Sequence, residues 1–326
     1  MWKKVSAVVV PTIIAAAILA FMLARVWGDL IVALENARFV FLAAAVVVCT
    51  AAWVIRGWRY RYILQGLEVT VGTWFSTACI FVSQTANLIV PARLGDLVRM
   101  VILRHEKQTT YSRGLSSLVV ERIFDITMVA VLGLLALLAL PALLNVPDWF
   151  VTIIVVPLVG GAVLVGFLLY SGNISSRNRY LAMLIDLFGE IRQASLHPRA
   201  FLVLGVSSIV IWLVDVAVCY VVALMFSETI PFMVVVLAIV IGNLVKAVPL
   251  TPGGVGTYEI SVALTFELAG VAPVSATLIA VTDHLIKNLV TLAGGVASIY
   301  LFGGWALALF EGVLRRSITR EDFDEP

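Results

Sequence analysis

The sequence predicts an all-α polytopic integral membrane protein, with about six full spans and two re-entrant hairpins arranged as inverted repeats. Three observations carry this expectation. Of the 326 residues, 62% are apolar and 13% charged, and uninterrupted apolar stretches approach the length of a bilayer crossing. A proline, three residues and a glycine, followed by an acid, a base and a third charge inside an apolar stretch, occur twice. The first copy is Pro91 and Gly95, then Glu121, Arg122 and Asp125; the second is Pro252 and Gly256, then Asp283, His284 and Lys287. Gly95 to Glu121 is 26 positions and Gly256 to Asp283 is 27, so the copies align with one slip. Lastly, Lys and Arg gather on one face when six crossings are assumed.

Taken in order, full spans are expected near 5–25, 39–56, 115–140, 151–171, 200–226 and 274–303, each able to cross a ~30 Å hydrocarbon layer. Lys3 and Lys4 before the first stretch give it the look of a signal peptide. No convincing cleavage site follows, so it reads as an uncleaved first helix. The segment Thr73 to Val90 carries Ser76, Thr77, Ser83, Gln84, Thr85 and Asn87, too polar a set for a lipid-facing crossing. Phe232 to Val245 has only 14 residues before Lys246 and the run from Pro249 to Gly256. Both read as arms of re-entrant hairpins, in repeat A near 73–140 and repeat B near 232–303.

With both termini inside, 17 of the 22 Lys and Arg fall on the cytoplasmic face, among them Arg56, Arg59, Arg61, Arg93 and Arg99. Three full spans separate the hairpins, so one enters from each side and the repeats are inverted. The connection 141–150 holds Pro141, Pro147, Asp148 and Trp149 with no base, as an outer turn should. Leu181, Leu184, Ile185 and Phe188 recur at helical spacing, giving a cytoplasmic helix near 179–195. It either lies among anionic headgroups or packs on the protein. The whole, 1–326, reads as a single membrane domain.

A charge at the bilayer centre costs about 2.5–3.5 kcal/mol on insertion scales, so buried ionisable groups pair or face water. Asp283 and Lys287 are one turn apart and can pair. Glu121 and Asp125 share a face with one sign and need a cation from elsewhere; Arg122 needs a partner on another helix, and Asp215 is a further candidate. The set could simply lock helices together. Six or more such groups in matching places also suit a polar path. Gly253, Gly254 and Gly256 permit a tight turn that Pro252 keeps from becoming helix. Half-helices starting there would aim partial positive charge at an anion, with Asp96 and Thr257 as caps. A plain loop is the alternative, and Arg93 and Arg99 could be ordinary flanking charges. Gly294 and Gly295 read as close helix packing.

Several classes find no support. The modest net charge of +2 implies no nucleic acid partner. Cys49, Cys79 and Cys219 read as small core residues, and His105, His197 and His284 are too scattered for a metal site. The glycine run lacks the Lys-Ser/Thr of an ATPase phosphate loop, and no cofactor is expected.

Asn87 to Arg99, Glu121 to Asp125 and Pro249 to Glu259 together resemble the flippase-like transmembrane domain of lysylphosphatidylglycerol synthases and related stand-alone prokaryotic membrane proteins. The resemblance covers nearly the whole chain. It implies a lipid translocase, acting passively or on an ion gradient, in the prokaryotic cytoplasmic membrane. Its partners would be an anionic phospholipid or a polyprenyl phosphate, and a homo-oligomer is compatible with it. It carries over Arg93, Gly95, Asp96, Arg99, Glu121, Arg122, Asp125, Pro252, Gly253, Gly254, Gly256 and Glu259; Asp283 and Lys287 rest on the repeat. Arg93, Arg122 and Lys287 would hold phosphate, and the acids would balance them or exchange protons. The soluble synthase domain of aminoacylating members is not among these residues, so the chain is expected not to be an enzyme. The alternative is an integral-membrane enzyme or accessory subunit acting on lipid-linked glycans or phospholipids.

Overall fold

The structure, a computed structural model, describes residues 2–89, 95–140, 148–170, 179–248, 250–303 and 305. Pro91, Arg93, the turn Pro141 to Pro147, Arg177, Pro249 and the tail with Arg315, Arg316 and Arg320 lie outside them. The described residues form eleven α-helices and no strand. They are α1 (Trp2–Glu35), α2 (Val40–Gly66), α3 (Thr73–Ile89), α4 (Gly95–Lys107), α5 (Tyr111–Ala139) and α6 (Asp148–Tyr170). Then follow α7 (Arg179–Ser195), α8 (Pro198–Met225), α9 (Phe232–Ala247), α10 (Thr257–Leu268) and α11 (Pro273–Phe302).

Six of these, α1, α2, α5, α6, α8 and α11, are long and apolar enough to cross a membrane. On these helices apolar side chains such as Val159, Leu169 and Leu289 face outward, as suits a lipid surround. Four of the five others, α3, α4, α9 and α10, have 17, 13, 16 and 12 residues, below the roughly 20 needed to cross. Local chemistry sets several ends. Thr110 accepts the Arg113 N–H at 3.3 Å to start α5, and Pro198 and Pro273 open α8 and α11, where a missing N–H costs nothing.

One boundary differs in a way that matters. The second span was expected to end near 56, with Arg56, Arg59 and Arg61 as cytoplasmic flanks. Instead α2 runs on to Gly66 and carries all three arginines within the helix. Arg59 is 2% exposed. Partners on other helices stabilise these charges, which hydropathy alone cannot register.

The helices fall into two matching units. In chain order α2, α3, α4 and α5 have 27, 17, 13 and 29 residues; α8, α9, α10 and α11 have 28, 16, 12 and 30. Their contacts match as well. α2 packs on α3 as α8 does on α9, α3 on α4 as α9 on α10, and α4 on α5 as α10 on α11. Across the units, α3 packs on α11 as α9 does on α5, and α2 meets α8 directly. That pattern is a pseudo-two-fold arrangement whose axis passes the α2–α8 contact. The repeat thus includes one more helix at its start than the paired motifs alone indicate.

Packing is close where small residues meet. A Cβ on Gly95 would fall 2.4 Å from the Ser83 carbonyl oxygen and 2.6 Å from the Asn87 backbone nitrogen, so α4 can approach α3 only as glycine. A Cβ on Gly295 would likewise collide with Thr85 Oγ1, and one on Gly294 with the Phe81 ring; the glycine pair of α11 is a seat for α3. The main apolar core surrounds α9, whose residues Val234 to Ile241 are all buried. The helix α7 lies against α5 and also meets α2, α6 and α8. Ile191 and Ala194 turn inward while Leu181, Met183 and Leu184 stay exposed.

Candidate functional site

A cavity of about 470 Å³ lies on the pseudo-two-fold axis, lined from both units. Its lining residues pair up between the units at constant separation. Trp53 and Trp212, Arg56 and Asp215, Gln84 and Asn243, and Asn87 and Lys246 are each 159 positions apart, and all eight line the cavity. Arg122 with His284, and Asp125 with Lys287, are 162 apart and line it as well.

Both helix pairs that carry buried ion pairs in the first unit, α2–α5 and α4–α5, have counterparts in the second. Between α2 and α5, Arg59 donates to Asp125 at 2.6 and 3.1 Å and to Ser208 Oγ at 2.7 Å. Between α8 and α11, Lys287 Nζ donates to Asp215 at 3.1 Å and to its helix neighbour Asp283 at 3.0 Å. Between α4 and α5, Arg122 donates to Asp96 at 2.9 Å. Between α10 and α11, His284 Nδ1 meets Glu259 at 2.7 Å. Across the axis, Arg56 reaches Asp215 at 3.4 Å.

These partners answer the questions the sequence raises. The cations for Glu121 and Asp125 are Arg99 and Arg59, and Arg122 finds its acid on another helix. The pair Asp283–Lys287 forms within α11. Locking of helices is therefore one real role of the charges. Asp96 does not cap α4 with its side chain: it accepts from Ser83, Asn87 and Arg122. Burial raises its pKa, but the Arg122 and Arg99 guanidiniums outweigh this and hold the carboxyl below the usual carboxylate range. Nor does Thr257 cap α10, since its hydroxyl donates to the Gly254 carbonyl at 3.1 Å. Glu259 does so instead, accepting the Gly256 N–H at 2.7 Å. A carboxylate three residues in can reach back to that N–H, which the shorter Thr257 cannot.

Of the residues singled out from sequence, Asp96, Glu121, Arg122, Asp125, Gly253, Gly254 and Lys287 line the cavity. Gly95, Arg99, Pro252, Gly256, Glu259 and Asp283 are not in its lining. Arg99 is fully buried, donating to Glu121 at 2.7 Å with its guanidinium over the Tyr60 ring. Gly253, Gly254 and Gly256 have φ of 61°, 77° and 84°, a turn that side chains resist. Sequence reading missed Arg56, Arg59, Lys246, Tyr258 and the two tryptophans. The 159-residue offset, once applied to the helices before each hairpin, picks out Trp53 with Trp212 and Arg56 with Asp215.

A chain of hydrogen bonds runs from the cavity to the glycine turn. Lys246 Nζ lies 3.0 Å from His284 Nε2. An ammonium can only donate, so Nε2 accepts and Nδ1 carries the proton given to Glu259. Glu259 in turn holds Gly256. Tyr258 lies tilted beside His284, ring centroids 4.4 Å apart, and donates to Asp283 at 2.7 Å. Among the described residues no group of His, Cys, Asp and Glu is arranged to hold a metal.

Residues 8–295 match the family model of the lysylphosphatidylglycerol synthase TM region. The chain belongs to that family. Relatives of the chain include "Glycosyltransferase AglD" of Haloferax volcanii, 35% identical over 83% of this chain and 50% of AglD. The chain thus spans half the length of that relative. A UPF0104 membrane protein of Methanocaldococcus jannaschii is 25% identical over 73% of this chain and 98% of its own. Another, from Pyrococcus horikoshii, is 24% identical over 79% and 86%. The AglD match corrects the expectation that the chain is not an enzyme: a relative at 35% identity bears a glycosyltransferase name, a likeness that residue motifs of catalysis did not signal.

Proposed function

We propose that the cavity receives the anionic headgroup of a phospholipid or a polyprenyl phosphate and carries it between leaflets while the tails stay in lipid. The observation that carries this reading is the placement of Arg56, Arg122, Lys246 and Lys287 in one cavity lined by crossing-length and short helices of both units. Arg122 keeps 29% of its side chain exposed, so its guanidinium can exchange Asp96 for a phosphate, to which arginine binds bidentately. In this reading the short pairs α3–α4 and α9–α10 enter from opposite leaflets, which the two-fold pairing of their contacts supports. The site lies on the axis, where the two units can trade roles as outer and inner gates.

A second reading draws on the AglD likeness. The same lipid-phosphate site would then serve glycosyl transfer, presenting the acceptor or product lipid. Both readings require a lipid phosphate in the cavity.

Leaflet exchange of fluorescent phosphatidylglycerol and polyprenyl phosphate in proteoliposomes tests the proposal. Exchange by the intact protein should fall at least about tenfold in Arg122→Gln and Lys287→Gln, the loss of about 1.4 kcal/mol of headgroup binding. Absence of exchange for every anionic lipid, with and without a proton or sodium gradient, would refute translocation. Turnover of a nucleotide sugar onto polyprenyl phosphate by the same preparation would favour the second reading.

A further inference from the structure

Four cations of the cavity, Arg56, Arg59, Arg122 and Lys287, already have carboxylate partners, which an incoming phosphate would replace. Arg56 and Lys287 meet Asp215, Arg59 meets Asp125, and Arg122 meets Asp96. What remains open is neutral hydrogen-bonding capacity. Gln84 from α3, Asn243 from α9, Asn87 and Asn288 all line the cavity. The side chains of Gln84 and Asn288 make no hydrogen bond among the described residues. Each amide offers two donors and an acceptor. A phosphate needs cations and has no use for amide carbonyls, whereas a hydroxyl both donates and accepts and satisfies an amide on either atom.

A second feature lies beside these amides. Trp53 and Trp212 occupy equivalent places on α2 and α8, and both line the cavity. The Arg56 guanidinium lies 5.7 Å from one ring centroid and 5.6 Å from the other. Phe81 stacks on Trp53 at 4.5 Å and fixes its orientation. The indole edges left uncovered by Arg56 and Phe81, next to the carboxylate of Asp215 and the amides, offer apolar surface beside hydrogen-bonding groups, which suits a ring with apolar C–H faces and a polar rim. The cavity volume of about 470 Å³ also falls in the range of small-molecule sites, about 300–1,000 Å³, and is more than a phosphate group fills.

We infer that the headgroup this cavity recognises is a glycosylated lipid phosphate: Gln84 and Asn288 bind hydroxyls of a hexose ring held against Trp53 and Trp212, and the cations hold the attached phosphate. This rests on the headgroup-site reading above and narrows its cargo from any anionic lipid to one carrying a sugar.

The test is competition for leaflet exchange of fluorescent polyprenyl phosphate, in proteoliposomes prepared without glycoside detergents, whose sugar heads would fill the site. Competitors are polyprenyl phosphohexose, unlabelled polyprenyl phosphate, phosphatidylglycerol and soluble hexose 1-phosphate. Two or three hydroxyl hydrogen bonds at about 0.5–1.5 kcal/mol each predict that the phosphohexosyl lipid competes at least about tenfold better than the bare phosphate. Hexose 1-phosphate competing at millimolar concentration would support the sugar site and locate recognition in the headgroup alone. In Gln84→Leu and Asn288→Leu the ratio between the two polyprenyl lipids should collapse toward one, a readout that a general loss of folding does not mimic. Equal competition by bare and glycosylated lipid in the intact protein, with exchange proceeding, overturns the sugar inference and leaves translocation standing. No exchange of any anionic lipid overturns both.

Discussion

Removing the carboxylate of Asp125 should unfold this protein more readily than removing both members of its pair. Arg59 is 2% exposed, and its guanidinium makes three side-chain hydrogen bonds, two of them to Asp125. In Asp125→Ala the arginine keeps only Ser208, and an unpaired guanidinium stays behind in a buried site. Breaking a buried pair from one side costs about 3–5 kcal/mol. The lower end is expected here, about 3 kcal/mol, because a chain unfolded in detergent keeps its helices and finds other partners. Replacing both partners by apolar residues of similar size, Arg59→Met with Asp125→Leu, removes the stranded charge and should return stability to within about 1.5 kcal/mol of the parent. Reversible unfolding by dodecyl sulfate, followed by tryptophan fluorescence, gives the free energies of the parent, the single and the double variant. A cost below about 1 kcal/mol for Asp125→Ala, or a double variant no better than the single, would refute the reasoning.

Three further outcomes follow from the geometry. Gly95→Ala should lower thermal stability by several degrees and reduce yield, since its Cβ meets two backbone atoms under 3 Å away that no rotamer can clear; an unchanged melting temperature would contradict the α3–α4 approach. The Asp96 carboxyl has a folded-state pKa below its unfolded one, so its contribution is present above the unfolded value and lost only as pH falls through the folded one. A double-mutant cycle on Asp96 and Arg122 should therefore give the same coupling from about pH 8 to about pH 5, and a halved coupling at the lower pH would be against it. His284→Gln retains one donor and one acceptor and should keep more exchange activity than His284→Leu, which removes the link between Glu259 and Lys246; equal activities would remove the hydrogen-bond chain from the mechanism.

Composition and apolar run lengths made the six crossing helices legible, and the paired Pro and Gly motifs marked where short helices begin. The site was legible where charges share a helix, as Asp283 and Lys287 do. It was hidden where the partner sits far along the chain. Arg59 and Arg56 look like ordinary flanks of an apolar stretch, and only α5 and α8 packing against α2 turns them inward. Trp53 and Trp212 carry no signal alone, because tryptophan is common in membrane helices; their meaning comes from the shared offset. Caps eluded sequence reading for a local reason. At α10 the choice between Thr257 and Glu259 depends on side-chain reach around a turn with three positive-φ glycines.

The opposite signs at matching positions bear on how such a molecule can arise. Arg56 corresponds to Asp215, and Asp125 to Lys287, and the first two touch across the axis at 3.4 Å. Two separate, identical copies meeting about a true two-fold would set arginine against arginine there. At about 4 Å and an effective dielectric near 20, that is roughly 4 kcal/mol of repulsion where the single chain has attraction. Joining the copies in one polypeptide frees each half to change without the other, and the axis acquires an ion pair that no homodimer of half-chains can build. Expressed apart, neither half should therefore replace its sister in the assembly.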